Sequence, residues 1–331
     1  MKADLSMPGS AGARAALFSS QRNNLISAAL FVAFFSIFSL VSHGFFSGDM
    51  LNVIFLTGAE LGTITIGLTL LMISGEIDLS VASVFVFSDY MVMALSGAGV
   101  PLLVSALIAL SFGAAAGLLN GFLTLRFRIP SFVVTLGMLI FWRSAVAGLT
   151  NGESMAYRGP ASSPVLTVLG GQIGVLPAQF LWFLGFAAIG IVVLQYTKFG
   201  NHVFATGGNR EIARALGVNT HRIKMLSFVI CALLASFVGI TFVARSSYLD
   251  PIVATGMEFE AVAASVIGGT LLAGGSGSLF AAAVCAFLLK EIQIGAGAYG
   301  VKTEYYQLVV GVLLVLAATF NNVMTRRVFR S

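Results

Sequence analysis

The chain has 331 residues, 58% of them apolar and only 9% charged, with a mean hydropathy of +0.97. An ordinary soluble domain carries about 25% charged residues, so composition excludes that class. Eighteen Lys and Arg against thirteen Asp and Glu leave a net charge of +5, and the placement of those charges assigns the excess to membrane topology, not to nucleic acid.

Apolar stretches long enough to cross about 30 Å of hydrocarbon recur along the sequence. They are apolar all round, not alternating as barrel strands are, which selects helices. After a flexible polar tail over residues 1–24, ten spans are predicted near 25–42, 52–73, 79–97, 101–125, 131–150, 178–196, 225–243, 256–273, 278–295 and 303–322, followed by a tail over 323–331. The fold class is an all-α polytopic membrane protein with one transmembrane domain over 25–322. No small-residue cleavage pattern follows the first span, so it reads as an uncleaved anchor.

Basic residues orient this arrangement. Placing both termini in the cytoplasm puts 13 of the 18 Lys and Arg on that side: Lys2, Arg14, Arg22, Arg126, Arg128, Lys198, Arg210, Arg214, Arg222, Lys224, Arg326, Arg327 and Arg330. Arg158, Arg245 and Lys302 fall outside. The positive-inside rule therefore makes residues 198–224 a cytoplasmic loop and the Gly- and Pro-rich residues 151–177 an extracytoplasmic one.

Several chemistries are excluded. Cys231 and Cys285 sit inside spans, as small buried hydrophobes. His43, His202 and His221 share no metal-ligand spacing, so no metal site is expected. Gly295 to Gly300 matches a dinucleotide pattern by letter, but no strand precedes it. A P-loop needs Gly-Lys, and the chain has no such pair. No cofactor of its own is expected; if transport here consumes ATP, another subunit must bind the ATP and its Mg.

Two glycine patterns bear on packing. Gly113, Gly117 and Gly121 form a small-xxx-small run that lets a neighbouring helix approach. Ile66 to Gly75 resembles Ile267 to Gly275, each closing a span before a Gly- and Ser-rich turn, which points to a parallel internal repeat and a transport path. Ionisable residues at membrane depth are costly and therefore informative. Glu60, Asp89, Arg143, Lys290 and Glu291 fall inside spans, while Asp78 opens one and is expected to cap its helix. Lys290 and Glu291 lie about 100° apart on a helix and need separate partners.

The polar stretch Lys198 to Lys224 holds a short capped helix. Asn209 suits the N-cap, Glu211 the first turn and Gly217 the left-handed C′ position. Ile212 and Leu216 share one face, with Arg210 and Arg214 on the opposite one. Two turns do not persist alone, so either a membrane surface or a partner protein must hold them. The apolar anchors and caps favour protein docking.

Ser74 to Val81, Ile129 to Gly137, the Gly207-Gly208-Asn209 loop and Glu258 to Gly277 together resemble the ribose-type permease subunits of bacterial ATP-binding-cassette sugar importers, in order from about residue 45 to 322. The resemblance implies a permease dimer, two cytoplasmic ATPase subunits or one fused pair, and a periplasmic sugar-binding protein. It also implies that Glu211, Ala213 and Gly217, in the importer pattern Glu-x-Ala-x-x-x-Gly, belong to a coupling helix with Gly208, Asn209, Ile212 and Leu216. Ala82 and the Ala281-Ala282 pair depart from the family's usual glycine and Gly-Thr. Candidate path residues are Glu60, Asp78, Ser80, Asp89, Thr135, Glu260 and Thr270. A sugar importer permease in contact with membrane lipid is the expected function. An ion-coupled carrier using Asp78, Asp89 and Glu60, and an importer permease for branched-chain amino acids, are the alternatives.

Overall fold

The computed structural model describes residues 11–41, 44–159 and 162–328, with the backbone alone for 11–20 and 320–328. The terminal residues 1–10 and 329–331, with Lys2 and Arg330, and the loop residues 42–43 and 160–161, with His43, lie outside the described residues. In chain order the elements are α1 (Ala11–Val41), α2 (Gly48–Ile73), α3 (Val81–Gly97), α4 (Leu102–Phe127), α5 (Ser131–Leu149), β1 (Met155–Ala156), α6 (Pro164–Gly170), β2 (Gln172–Ile173), β3 (Leu176–Pro177), α7 (Ala178–Tyr196), α8 (Lys198–Gly208), α9 (Arg210–Ala215), α10 (Thr220–Ser246), β4 (Tyr248–Leu249), α11 (Met257–Ile267), α12 (Leu279–Ala298) and α13 (Thr303–Val328).

Local signals start these helices where the sequence supplies them. Proline stands at the N-cap of α4, α5 and α7, as Pro101, Pro130 and Pro177. It presets φ, and the missing N–H costs nothing beside a helix start. Ser47 accepts from the Met50 N–H to cap α2, and Ser278 accepts from Ala281 N–H to cap α12. Segment 151–177 folds as a small cap: Ser163 closes the start of α6, Trp182 Nε1 donates to Val168 O, and β1 pairs with β4. The two loops expected outside thus meet at one end of the bundle.

Among the described residues, α2, α4, α5, α7, α10, α12 and the Gln21–Val41 part of α1 are long and apolar enough to cross a membrane. This makes the chain a multi-pass membrane protein. Three expectations are modified. Residues 256–273 do not form a span: α11 is 11 residues, about 16 Å. Gly268 follows it, and Gly269 turns left-handed at φ 88°. The apolar helix Val81–Gly97 is shorter than the span length, and α13 is described with side chains only to Thr319, so among the described residues seven helices meet it where ten are expected. Upstream, α1 extends to Ala11, where the Ala-rich segment favours helix over a loose tail.

The core lies where α10 packs on α2, α3 and α4, with α12 on the far side of α2. Leu61, Ile64 and Leu68 of α2, Phe85 of α3, and Phe228, Cys231 and Ala235 of α10 are fully or nearly fully buried there. Cys231 and Cys285 are free and buried, as expected. The small-residue run works by close packing: a Cβ at Gly117 would stand 2.6 Å from Phe228 O, and one at Gly113 2.4 Å from Ser236 Cβ. Ser236 crosses this contact, donating to Ala109 O at 2.8 Å and accepting from Ser88 Oγ at 2.9 Å. Overpacking of this kind costs about 1–3 kcal/mol. Gly117→Val is therefore expected to lower the melting temperature of the detergent-solubilised protein, whereas Gly137→Ala, with nothing within 4 Å, leaves it near wild type.

Candidate transport and coupling sites

The segment after α7 folds as its sequence dictates. Asn209 Oδ1 accepts from the Glu211 and Ile212 N–H groups, both at 3.0 Å, and so caps α9. At the other end Gly217 is left-handed at φ 85°. Its N–H bonds to Arg214 O while Val218 N–H bonds to Ala213 O, both at 2.9 Å, the paired hydrogen bonds of a Schellman stop. Ala213 is buried, and Ile212 and Leu216 are 58% and 78% exposed. The apolar anchors point away from the bundle, and among the described residues nothing covers them.

Three backbones converge beside α9. A Cβ at Gly207 would fall 1.8 Å from Ile73 O, one at Gly275 2.5 Å from Gly208 Cα, and one at Gly274 2.8 Å from Gly75 Cα. Gly275 N–H donates to Ile73 O at 2.8 Å. The two segments read as a repeat, ending at Gly75 and Gly275, thus meet each other and clasp the end of α8. Lys224 Nζ to Glu76 Oε1, 2.6 Å, ties the start of α10 to the same loop.

Toward the opposite end, α2, α10, α11 and α12 enclose a polar cavity of about 230 Å³. Glu60 Oε1 and Oε2 accept from Arg245 Nε and Nη2 at 2.9 and 3.3 Å. Arg245 also stacks on Phe242, its Cζ 4.5 Å from the ring centroid. Lys290 Nζ lies 2.5 Å from Glu260 Oε2 and 2.9 Å from Gln293 Oε1. Thr57, Phe85, Thr255 and Gln307 complete the polar and aromatic wall. Such a wall offers hydroxyl-bonding acceptors and donors together with ring faces, the chemistry of a small polyhydroxylated ligand.

Of the seven path residues read from the sequence, Glu60 and Glu260 line this cavity. Asp89 is buried on α3, within electrostatic reach of Arg245 and Glu60, and neither carboxylate oxygen has a hydrogen-bond partner. Asp78, Ser80 and Thr135 lie elsewhere. Asp78 does not cap α3, whose N-cap is Ser80. Instead its Oδ1 accepts from Ser80 N–H at 2.8 Å and Ser80 Oγ at 2.6 Å, and Asn120 Nδ2 donates to Oδ2 at 3.0 Å. A turn bond two residues on satisfies the carboxylate before the helix begins. Thr135 Oγ1 bonds Ser131 O at 2.8 Å, and Ser131 Oγ accepts from Ile77 N–H. These three residues brace the α2–α3 connection against α4 and α5. Thr270 is buried beside Gly277, whose added Cβ would lie 2.7 Å from its Oγ1. Sequence reasoning placed Arg245 outside the membrane and left Lys290 without a partner. Both pairings join residues far apart in the chain, and no local signal announces them.

Residues 50–318 match the family described as the permease component of branched-chain amino acid transport systems. The chain belongs to this family. The permease is 31% identical to the ribose import permease of Escherichia coli K12 over 306 residues, 91% of this chain and 94% of that one. It is 32% identical to the xylose/arabinose import permease of Sulfolobus acidocaldarius over 292 residues, 84% and 79% of the two chains. A probable ABC transporter permease of E. coli K12 is 35% identical over 293 residues, 88% and 87%.

Two outcomes follow from this geometry. Removing one partner of a buried ion pair costs about 3–5 kcal/mol, so Lys290→Met is expected to destabilise the permease strongly. Lys290→Met with Glu260→Gln should recover most of that loss in denaturation midpoints. Gly207→Ala is expected to abolish uptake while membrane insertion, read by immunoblotting of membranes, persists.

Proposed function

We propose that the permease carries a sugar or polyol across the bacterial inner membrane as one subunit of an ATP-binding-cassette importer, with ATP hydrolysed on a separate cytoplasmic subunit. The observation that carries this reading is the exposed, fully capped α9, whose apolar residues Ile212 and Leu216 have no cover among the described residues. A two-turn helix held in shape and offered outward suits a groove on a partner. The relatives named for ribose and for xylose/arabinose favour a sugar over an amino acid. In this reading both termini are cytoplasmic, a second permease chain completes the path, and a periplasmic binding protein delivers substrate to the face formed by residues 151–177.

The mechanism needs positioning and no covalent chemistry. Closure of the ATPase subunits moves α9, and the glycine contacts pass that movement to α2 and to the turn after α11. In one state Glu60, Arg245, Glu260 and Lys290 satisfy each other; in the other, substrate hydroxyls take over part of those bonds. Two states with different pairings are what a differential ligand can shift. Asp78, Ser80 and Thr135 hold the α2–α3 turn that must transmit the motion, and Thr270 holds the turn after α11. Asp89 answers the field of Arg245 without carrying an ion.

The test replaces Leu216 by Arg, which puts a charge into the docking face. In proteoliposomes with the ATPase and binding protein, wild type is expected to accumulate sugar with ATP present on the ATPase side, even when ionophores collapse all ion gradients. Leu216→Arg is expected to lose uptake and stimulated ATP hydrolysis while inserting normally. Gradient-driven uptake by the permease alone, lost in Asp89→Asn, would overturn the reading in favour of an ion-coupled carrier.

A further inference from the structure

A second cavity, open and about 800 Å³, lies between the end of α4, α9 and the start of α10. Arg126, Arg128, Arg210, Arg214 and His221 line it, and among the described residues no carboxylate does. Arg210 Nη2 meets His221 Nε2 at 3.0 Å, Arg214 Nε donates to Thr220 Oγ1 at 2.9 Å, and Arg210 Nε is buried with no hydrogen-bond partner. Burial, then the neighbouring Arg214, holds Arg210 below its ordinary pKa range, with Arg128 adding to the effect against the pull of Glu76. Four guanidiniums gathered with no carboxylate among the described lining residues repel one another, and the pull of Glu76 reaches them only from outside the lining. The fold nevertheless assembles them.

The cavity also has apolar lining. Phe122, Leu125 and Met225 line it, and Phe122 and Phe127 are 49% and 60% exposed on the outer side of α4. The cavity therefore joins a cationic basin to hydrocarbon-facing surface at the end of a membrane-crossing helix. We propose that it is a binding site for an anionic phospholipid, with the phosphate among Arg126, Arg128, Arg210 and Arg214 and an acyl chain along Phe122. Planar forks of donors match phosphate oxygens, and basic pockets at the ends of membrane helices take anionic headgroups. A free phosphate offers the same anion but leaves the apolar wall uncovered. The docking face of α9 does not compete, because Ile212 and Leu216 point away from the basin's arginines. An occupied basin would hold α9 against α4 and α10, making the coupling helix sensitive to membrane composition. The inference does not depend on what the permease carries.

The experiment is native mass spectrometry of the full-length permease in detergent, titrated with phosphatidylglycerol or phosphatidylcholine. Wild type is expected to retain phosphatidylglycerol in preference by about tenfold or more, given about 1 kcal/mol per basic residue near an anionic headgroup. Arg126→Gln with Arg128→Gln should erase the preference, and Arg126→Lys with Arg128→Lys should keep much of it, which separates lost charge from lost fold. Excess inorganic phosphate should fail to displace the lipid. Displacement by phosphate would overturn the lipid in favour of a soluble anion. Unchanged lipid preference in the Gln pair, accompanied by loss of ATPase co-purification, would overturn it in favour of an acidic ATPase surface. Equal retention of both lipids by wild type would overturn the site itself.

Discussion

The contact of three backbones at Gly75, Gly207 and Gly275 is the constraint on which the architecture of this end of the bundle depends. No side chain fits there: a single methyl at Gly207 would occupy the space of the Ile73 carbonyl oxygen. Gly75, Gly274 and Gly275 also hold positive φ angles of 86°, 87° and 78°, which other residues reach only with strain. Both the conformation and the closeness require glycine. The result is that the end of α2, the end of α8 and the turn after α11 cannot move independently.

From this junction the load runs along two antiparallel helices. Lys224 and Arg245 lie 21 residues apart on α10, about 30 Å at the helical rise. Each pairs with a glutamate of α2 or its following loop, Glu76 at one end and Glu60 at the other. Their shared middle is tightly packed, since a Cβ at Gly67 of α2 would lie 2.9 Å from Cys231 Cα of α10. A displacement of α9 therefore reaches the Glu60–Arg245 pair through a stiff two-helix strut, because packed cores change between discrete arrangements and do not deform smoothly.

What the sequence made legible was local. Caps and stops of α9 depend on residues within a few positions of one another, so Asn209, Glu211 and Gly217 could be placed by rule. The apolar spans announced themselves by length. Hydropathy averaged over a window, however, runs past Gly268 and Gly269, and α11 was therefore drawn too long. Asp78 was read as a cap because its neighbours fit one. The competing short-range bond to Ser80, strengthened by Asn120 from α4, depends on the packing of a distant helix. Arg245 was assigned to a loop by counting, and only the tertiary fold shows that it turns inward to Glu60.

Buried charge finally separates structural from transport roles within one bundle. Pairs such as Glu260–Lys290 and Glu60–Arg245 border a cavity, where exchange of partners is geometrically open. Asp89 and Glu291 have no hydrogen-bond partner on either carboxylate oxygen. Asp89, one helical turn from the cavity-lining Phe85 and inside the field of Arg245, stands near that cavity without sharing in its pairings.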